Sequence, residues 1–178
     1  AKKYGFPCRS GGGMSNAGGL TAQAGVESAM NLFESFSEKA NLVMHAAGSL
    51  HSFNSVSFEK FMLDIETVDR MRYYFSELSV DDDALAFDAV REVIKENGTF
   101  ITSDHTYEFC RTEPWYSQVS LHSKCQSDPN GELYTSIQNR INRLLDGFRP
   151  PKLDPEKRRR LDEVMRRLGM NEKDMEKV

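Results

Sequence analysis

The feature that most constrains the fold is an alternation of short apolar runs with longer amphipathic segments. The run Leu42-Val43-Met44 lies between "LTAQAGVESAMNLFESFSEKA", which starts at Leu20, and "FEKFMLDIETVDRMRYYFSELSV", which starts at Phe58. Apolar residues recur at helical spacing in both longer segments. Helices that alternate with buried strands are typical of βαβ units, in which helices cover a parallel sheet. The sequence therefore predicts an α/β fold with a parallel sheet.

Weaker patterns complete the predicted order of elements. Strands are predicted over residues 3–8, 42–45 and 99–102, with a polar loop over 46–57 and a helix that starts at the acidic residues 81–83 and stops at Asn97-Gly98. Further helices are predicted for "LYTSIQNRINRLLDGF" and "EKRRRLDEVMRRLGMNEKDMEKV", with "RPPKLDP" as a break between them. The predicted apolar faces of the first, second and last helices are Leu20, Ala24, Met30, Phe33 and Phe36; Phe58, Phe61, Met62, Ile65, Val68 and Tyr73; and Leu161, Val164, Met165 and Leu168.

Charge and cysteine content exclude several classes of protein. The net charge of the 178 residues is -4, which gives no overall basic field for nucleic acid. No apolar run approaches the ~20 residues that cross a bilayer, and no signal-peptide pattern is present. Cys8, Cys110 and Cys125 are widely spaced, which favours free thiols in a reducing compartment. We therefore expect a cytoplasmic protein without nucleic-acid or membrane partners.

Polar and ionisable residues follow each predicted strand. The first strand leads through a triple glycine to Asn16, the second ends at His45 beside small residues, and the third is followed by Asp104 and His105. Ligands of parallel α/β folds bind at the carboxyl ends of the strands. The sequence thus predicts that these side chains gather at the mouth of one pocket. A structural, hydrogen-bonded role for His45 is an equal alternative.

Other candidate motifs favour ordinary structural roles. The triple glycine lacks the spacing of a phosphate-binding loop, and His45, His51 and Cys8 do not have zinc-ligand spacing. Asp64 and Glu66 lie two apart on a helix, so they are predicted to face different directions. His51 and His122 are predicted to be structural, and the basic residues 157–160 to form a solvated helix face.

Four strings in order carry a resemblance to a known family. They are "GGGMSNA…AQAGVESAM", "ANLVMHAAGSLHS", "FEKFMLDIETVDRM" and "FITSDHTYEFCRTEPWYS". Together they resemble the C-terminal part of the trimethylamine methyltransferase superfamily, especially its members that lack pyrrolysine and act on glycine betaine and related quaternary amines. The resemblance runs from about Gly5 to Trp115, with a weaker match through "PPKLDP". The loop at residues 18–21 departs from the pattern, since it lacks the lysine and the acidic residue usual there.

The resemblance implies a fold and its boundaries. The family fold is a (β/α)8 TIM barrel, which usually needs about 250 residues. We therefore expect residues 1–118 to be the C-terminal portion of such a barrel, with parallel strands and outer helices, and residues 119–178 to be a C-terminal helical extension. The start at Ala1, within an apparent strand, also predicts a piece of something longer. A part-barrel of this kind exposes an open parallel edge.

The resemblance also implies a reaction. Members transfer a methyl group from a methylated amine to the cobalt of a corrinoid that a separate partner protein carries, with no cofactor or metal held permanently by the chain that binds the amine. A quaternary amine is expected as the methyl donor, because no pyrrolysine-like position is visible. Expected substrate-binding residues are His45, Asn16, Asp104, His105 and Tyr107, with His45 on a substrate carboxylate; Phe109 and Trp115 add aromatic faces for a cation.

Three readings remain open at this level. The first is the corrinoid-dependent methyltransferase. The second is a non-catalytic fragment or a subunit that completes a barrel with another polypeptide or in a homo-oligomer. The third is an unrelated small α/β binding protein, in which three strands form a sheet covered on both faces within this chain.

Overall fold

The computed structural model describes residues 1–120, 128–150 and 152–175. Its α-helices are α1 (Ala22–Ser37), α2 (Phe58–Tyr74), α3 (Asp82–Leu85), α4 (Phe87–Lys95), α5 (Asp104–Phe109), α6 (Pro129–Gly147), α7 (Pro155–Arg167) and α8 (Glu172–Met175). Its strands are β1 (Arg9–Gly11), β2 (Leu42–Met44), β3 (Ser49–Leu50) and β4 (Ser55–Val56). Short 3-10 turns lie at Lys2–Tyr4, His51–Phe53 and Phe100–Thr102.

One βαβ unit forms the sheet at the centre of the predicted pattern. β1 and β2 pair in parallel, with Arg9 opposite Leu42 and Gly11 opposite Met44, and α1 connects them. This arrangement confirms the α/β class. The two carboxyl ends lie side by side, so the glycine-rich segment after β1 and the His45 segment after β2 leave the sheet at the same end.

The first predicted strand was placed too early. Residues 3–8 do not form a strand; Lys2–Tyr4 is a 3-10 turn that ends at Gly5, whose φ of 70° is left-handed. Pairing begins only where Asn41 can fix the chain, since its side-chain oxygen accepts a hydrogen bond from the Cys8 N–H at 2.8 Å. The strand therefore includes Gly11, which the sequence pattern assigned to the loop.

β2 lies where predicted, but it is not buried. It ends at Met44, one residue before His45, and Leu42 and Met44 are exposed. The cause is the width of the sheet: in the described part of the chain this sheet has two strands, so no further strand or helix layer covers these side chains. Both edges of this sheet are open within residues 1–120, 128–150 and 152–175.

The third predicted strand was wrong. Residues 99–102 hold a 3-10 turn in which the Thr99 hydroxyl accepts a hydrogen bond from the Ile101 N–H. Asp104 and His105 consequently lie in the first turn of α5 and not at the end of a strand. β-branched composition suggested a strand, but the local Thr99 cap satisfies the backbone without a partner strand.

The loop predicted over residues 46–57 contains a small antiparallel hairpin. β3 pairs with β4, with Ser49 opposite Val56 and Leu50 opposite Ser55. Leu50 is buried with Ala17 and Ala24, so the hairpin packs on the loop after β1 and on α1.

The buried faces of the two long helices match the predicted apolar faces only in part: Ala24 is buried, and Phe36, Met62, Ile65 and Val68 are half-buried. Thr21 caps α1 and Ser57 caps α2, as the sequence indicated for Ser57. Met30 and Phe33 on α1 and Phe58, Phe61 and Tyr73 on α2 are exposed, and α2 stops at Tyr74 rather than near residue 80. The buried residues are Ala24, Ser28, Leu32 and Ser35 on α1, and Lys60, Asp64 and Glu66 on α2. Apart from Leu32, the buried residues of these two helices are therefore small or polar.

Acidic residues begin the next helix as predicted, but the helix is broken. Asp81 accepts a hydrogen bond from the Ala84 N–H and caps α3. Ala86, with a φ of 49°, ends α3, and α4 then runs only to Lys95, just before the predicted stop at Asn97-Gly98.

The structure divides into two compact units, residues 1–143 and 144–178. In the first unit, Ile137 of α6 is fully buried, and Gln138 and Tyr134 of α6 donate hydrogen bonds to Glu59 of α2. The predicted boundary at residue 118 concerns the barrel itself and remains a prediction.

The second unit contains the predicted proline-bounded break and the charged helix. That helix ends at Arg167, and Gly169, with a φ of 81°, separates it from α8. Of its predicted stripe, Met165 is buried, whereas Val164 and Leu168 are exposed. His122 and Cys125 lie outside the described residues. Cys8 and Cys110 carry free thiols. No described helix is long and apolar enough to span a membrane.

Candidate functional site

A hollow of about 460 Å³ opens at the carboxyl end of β1, within the size range of ligand pockets. We call it the strand-end hollow. Three segments line it: the loop after β1, one face of α1, and the tip of the hairpin. Its residues are Met14, Ser15, Asn16, Val26, Glu27, Met30, Asn31, Ser52 and Phe53. No lysine or arginine is among these lining residues.

Glu27 fixes the loop that carries Asn16. Its Oε2 accepts hydrogen bonds from the Ser15 hydroxyl at 2.7 Å and the Asn16 N–H at 2.8 Å, and its Oε1 accepts one from Gln23 at 2.8 Å. These hydrogen bonds, chiefly that from Ser15, lower the pKa of the Glu27 carboxyl below its ordinary value. The hollow therefore holds a carboxylate that stays ionised at neutral pH.

The hairpin tip reaches the same hollow through a strained backbone. His51, Ser52 and Phe53 have φ values of 50°, 50° and 73°, which non-glycine residues adopt at a cost. Hydrogen bonds to the loop after β1 hold them: His51 N–H to Ala17 O, Ser52 N–H to Ser15 O, and the Ser52 hydroxyl to Asn16 Oδ1 at 2.7 Å. These hydrogen bonds hold the backbone that carries the Phe53 ring.

His45 joins this region through Phe53. The His45 and Phe53 ring centroids lie 4.9 Å apart in an edge-on arrangement, and both side chains are exposed. Asn16 and Phe53 line the hollow itself. The structure thus brings together two of the predicted site residues, Asn16 and His45, at the adjacent ends of β1 and β2.

The remaining predicted site residues lie elsewhere. Asp104 and His105 line a different hollow, of about 280 Å³, between α4 and the segment that follows it. His105 is held there by a 2.8 Å contact between Nε2 and the Asp83 carbonyl oxygen. Tyr107, on α5, is 81% exposed. The predicted single mouth for all strand-end residues is therefore not formed, because the segment before Asp104 is a turn.

The aromatic residues expected to serve a cation also have other contacts. The Arg70 guanidinium lies 4.5 Å from the centre of the Trp115 ring, and the Phe109 ring packs against His105. Phe53, which the sequence pattern did not single out, is the aromatic residue that lines the strand-end hollow.

A buried ion pair lies beneath both strand-end loops. The Lys60 and Asp64 side chains are fully buried on α2, with Lys60 Nζ 2.6 Å from Asp64 Oδ2. Lys60 Nζ also donates to Gly13 O at 2.8 Å and to Ser28 Oγ at 2.5 Å. Asp64 accepts the Gly48 N–H at 2.8 Å. The pair therefore connects the loop after β1, the loop after β2 and α1.

Asp64 and Glu66 face different directions, as predicted. Glu66 binds the segment after α5: it accepts hydrogen bonds from the Ser117 hydroxyl, from the Gln118 N–H at 2.9 Å and from the Ser120 hydroxyl. Asp64 binds Lys60 and Gly48. The two carboxylates therefore do not form a shared acid–base pair.

Glu27, Phe53 and Lys60 were missed because their roles depend on the loops that they contact. One signal was available for Lys60 and Asp64, which have the i,i+4 spacing of a helical ion pair. Nothing local indicates that this pair is buried.

The sequence is similar to those of known proteins. The model of the trimethylamine methyltransferase (MTTB) family matches residues 1–171. The chain is 35% identical over 158 residues to a glycine betaine methyltransferase of Desulfitobacterium hafniense (strain Y51), covering 88% of this chain and 33% of that protein. It is 27% identical over 148 residues to an L-carnitine:corrinoid methyltransferase of Eubacterium limosum, covering 82% of this chain and 30% of that protein.

The chain thus spans about a third of the length of each of these relatives. The family match nevertheless extends over nearly all of the sequence, from the residues before β1 to the start of the last helix. The chain belongs to the trimethylamine methyltransferase family.

Proposed function

We propose that this chain is part of an enzyme that transfers a methyl group from a quaternary amine to the corrinoid of a separate partner protein. The observation that carries the proposal is the match to two relatives whose names specify glycine betaine and L-carnitine, both quaternary amines. A non-catalytic role remains the alternative, since the chain covers about a third of those proteins.

The chemistry sets what the protein must supply. A quaternary ammonium has neither a lone pair nor a proton to lose, so general acid–base catalysis cannot activate it. The methyl carbon accepts an electron pair from reduced cobalt, the C–N bond breaks, and its electron pair remains on the nitrogen, which leaves as a neutral tertiary amine. The binding protein therefore contributes orientation of the C–N bond and exclusion of water.

The strand-end hollow is the proposed location of the amine. Asn16 lines it and His45 lies beside it, at the end of the sheet where parallel α/β folds bind ligands. In this proposal His45 binds the carboxylate of a betaine. We assign no primary role to Asp104, His105 and Tyr107, because none of them lines the strand-end hollow.

We also propose that the chain forms the C-terminal portion of a TIM barrel. Its support is the parallel β1–β2 pair with free edges and the exposure of large apolar side chains in the described residues, such as Leu78 at 88% and Ile101 at 84%. Such surface is unusual for an isolated domain and fits coverage by further barrel segments, on the same or another polypeptide. The proposed setting is cytoplasmic.

The reaction can be tested with the whole protein that the natural gene encodes, which contains these residues; we call it the gene-encoded protein. Mixed with cobalamin in the Co(I) state, it is expected to form methyl-Co(III), seen as a change in the visible spectrum, when glycine betaine or L-carnitine is added. Trimethylamine is the control and is expected to give a slower reaction. Failure of every methylated amine to produce methyl-Co(III), with the protein folded, would contradict the enzyme proposal.

A further inference from the structure

We propose that Glu27 and Phe53 form the subsite that holds the quaternary ammonium group, an inference that rests on the proposed function. Both side chains line the strand-end hollow, one on α1 and one on the hairpin tip. A carboxylate attracts a cation through its negative charge, and an aromatic face attracts one through its π electrons, so neither needs an N–H donor on the ligand.

The hydrogen bonds of Glu27 suit this role. Three of its acceptor positions are taken by Ser15, Asn16 and Gln23, which would leave little for an ammonium with N–H donors. A quaternary ammonium has no N–H and needs only negative charge at van der Waals distance. The donors leave the charge in place and hold the carboxylate still, so binding requires no rearrangement of Glu27.

Phe53 supplies the second wall. Phe53 is 55% exposed, and its backbone is held at the hairpin tip as the last of three consecutive left-handed residues. Met14 and Met30 add polarizable sulfur-containing walls to the same hollow. N-methyl groups make no hydrogen bonds with water, so they can contact these apolar surfaces without losing any.

The charges around the hollow also determine how a betaine would be oriented in it. Lys60, whose charge acts on Glu27, is itself paired with Asp64, so Glu27 keeps its own negative charge. With no lysine or arginine among the lining residues, the hollow disfavours an anion. A betaine would therefore place its ammonium between Glu27 and Phe53 and turn its carboxylate away, toward the side where His45 contacts Phe53.

Ligand-observed NMR with two probes tests this subsite without any methyl transfer. Choline and 3,3-dimethylbutan-1-ol have the same shape, but the second replaces the charged nitrogen by carbon. We expect choline to bind the gene-encoded protein about tenfold more tightly than the alcohol. Glu27→Gln should reduce that difference to about threefold or less, and Phe53→Leu, which keeps the charge, should weaken choline by about threefold or more. Glu34→Gln, on an exposed position of α1, is the matched control and should change neither affinity.

Equal binding of the two probes, or choline affinity that is unchanged in both Glu27→Gln and Phe53→Leu, would overturn the subsite. The outcome is separate from that of the proposed function. Selective choline binding without any methyl-Co(III) product would contradict the reaction alone, whereas methyl transfer with unselective binding would contradict the subsite alone.

Discussion

Replacing Lys60 with methionine is expected to lower the free energy of unfolding by about 3–5 kcal/mol. Methionine is close to lysine in length but has no donor, so the variant leaves the Asp64 carboxylate and the Gly13 carbonyl buried without their partner. Urea unfolding followed by the fluorescence of Trp115, the one tryptophan of the sequence, measures the loss. Lys95→Met, at an exposed position in the last turn of α4, is the control and should change stability by less than about 0.5 kcal/mol.

The pH dependence of the Lys60→Met variant provides a second readout. Burial raises the pKa of the Asp64 carboxyl above its ordinary value even with Lys60 present. A group whose pKa is raised on folding binds its proton more readily in the folded state, so its destabilising effect decreases as the pH falls through the folded pKa. Loss of the ammonium raises that pKa further, so the cost of Lys60→Met should be larger at pH 8 than at pH 5.

A double variant keeps this prediction testable if the single one does not fold. Lys60→Met with Asp64→Leu removes both charges, and replacing a whole buried pair by apolar residues is often close to neutral. We expect the double variant to lose less than half of what the single variant loses. A single variant within 1 kcal/mol of the wild type, or a double variant worse than the single one, would contradict the assigned role of the pair.

Replacing Gly13 with alanine is expected to cost about 1–3 kcal/mol or more. Gly13 is buried between the two strand-end loops, where its N–H donates to Ala46 O at 3.1 Å. An added Cβ would lie 2.6 Å from Ala46 O and 2.9 Å from the Asp64 carboxylate. Neither neighbour can withdraw easily, because one is backbone and the other is held by Lys60.

The control for Gly13→Ala is Gly19→Ala, in the same segment. A Cβ at Gly19 would meet no atom within 4 Å, so this variant should match the wild type in thermal unfolding. Equal melting temperatures for both alanine variants would show that the loops do not approach as closely as described. Because Asn16 follows Gly13 in the same loop, we also expect Gly13→Ala to weaken choline binding.

The sequence pattern predicted the elements that local rules determine. The Ser57 cap, the α1 segment, the place of β2 and the divergence of Asp64 from Glu66 all follow from spacing and from capping chemistry. The faces that those helices bury could not be predicted in this way. Periodicity identifies apolar stripes as core, but much of each stripe is exposed here, and Ser28, Lys60 and Asp64 are buried, because the sheet in the described residues has only two strands.

Only part of the candidate site could be predicted from the sequence. Asn16 and His45 follow real, adjacent parallel strands, so the rule for strand ends located them. Asp104 and His105 depended on a third strand, and the Thr99 cap replaces that strand by a turn. Glu27 and Phe53 come to the hollow through contacts that the loop after β1 makes with α1 and with the hairpin tip. These segments are separated in the sequence, so no local pattern predicts that they meet.

The proposed site of the amine is the end of the sheet where β1 and β2 stop. The most direct test of this proposal is kcat/KM for methyl transfer from glycine betaine to Co(I) cobalamin by the gene-encoded protein and two histidine variants. His45→Ala should lower kcat/KM by about tenfold or more, through loss of a hydrogen bond to a charged group. His105→Ala should leave it unchanged, because that ring lies in the other hollow. A loss confined to His105→Ala, or an undiminished His45→Ala enzyme, would contradict the account.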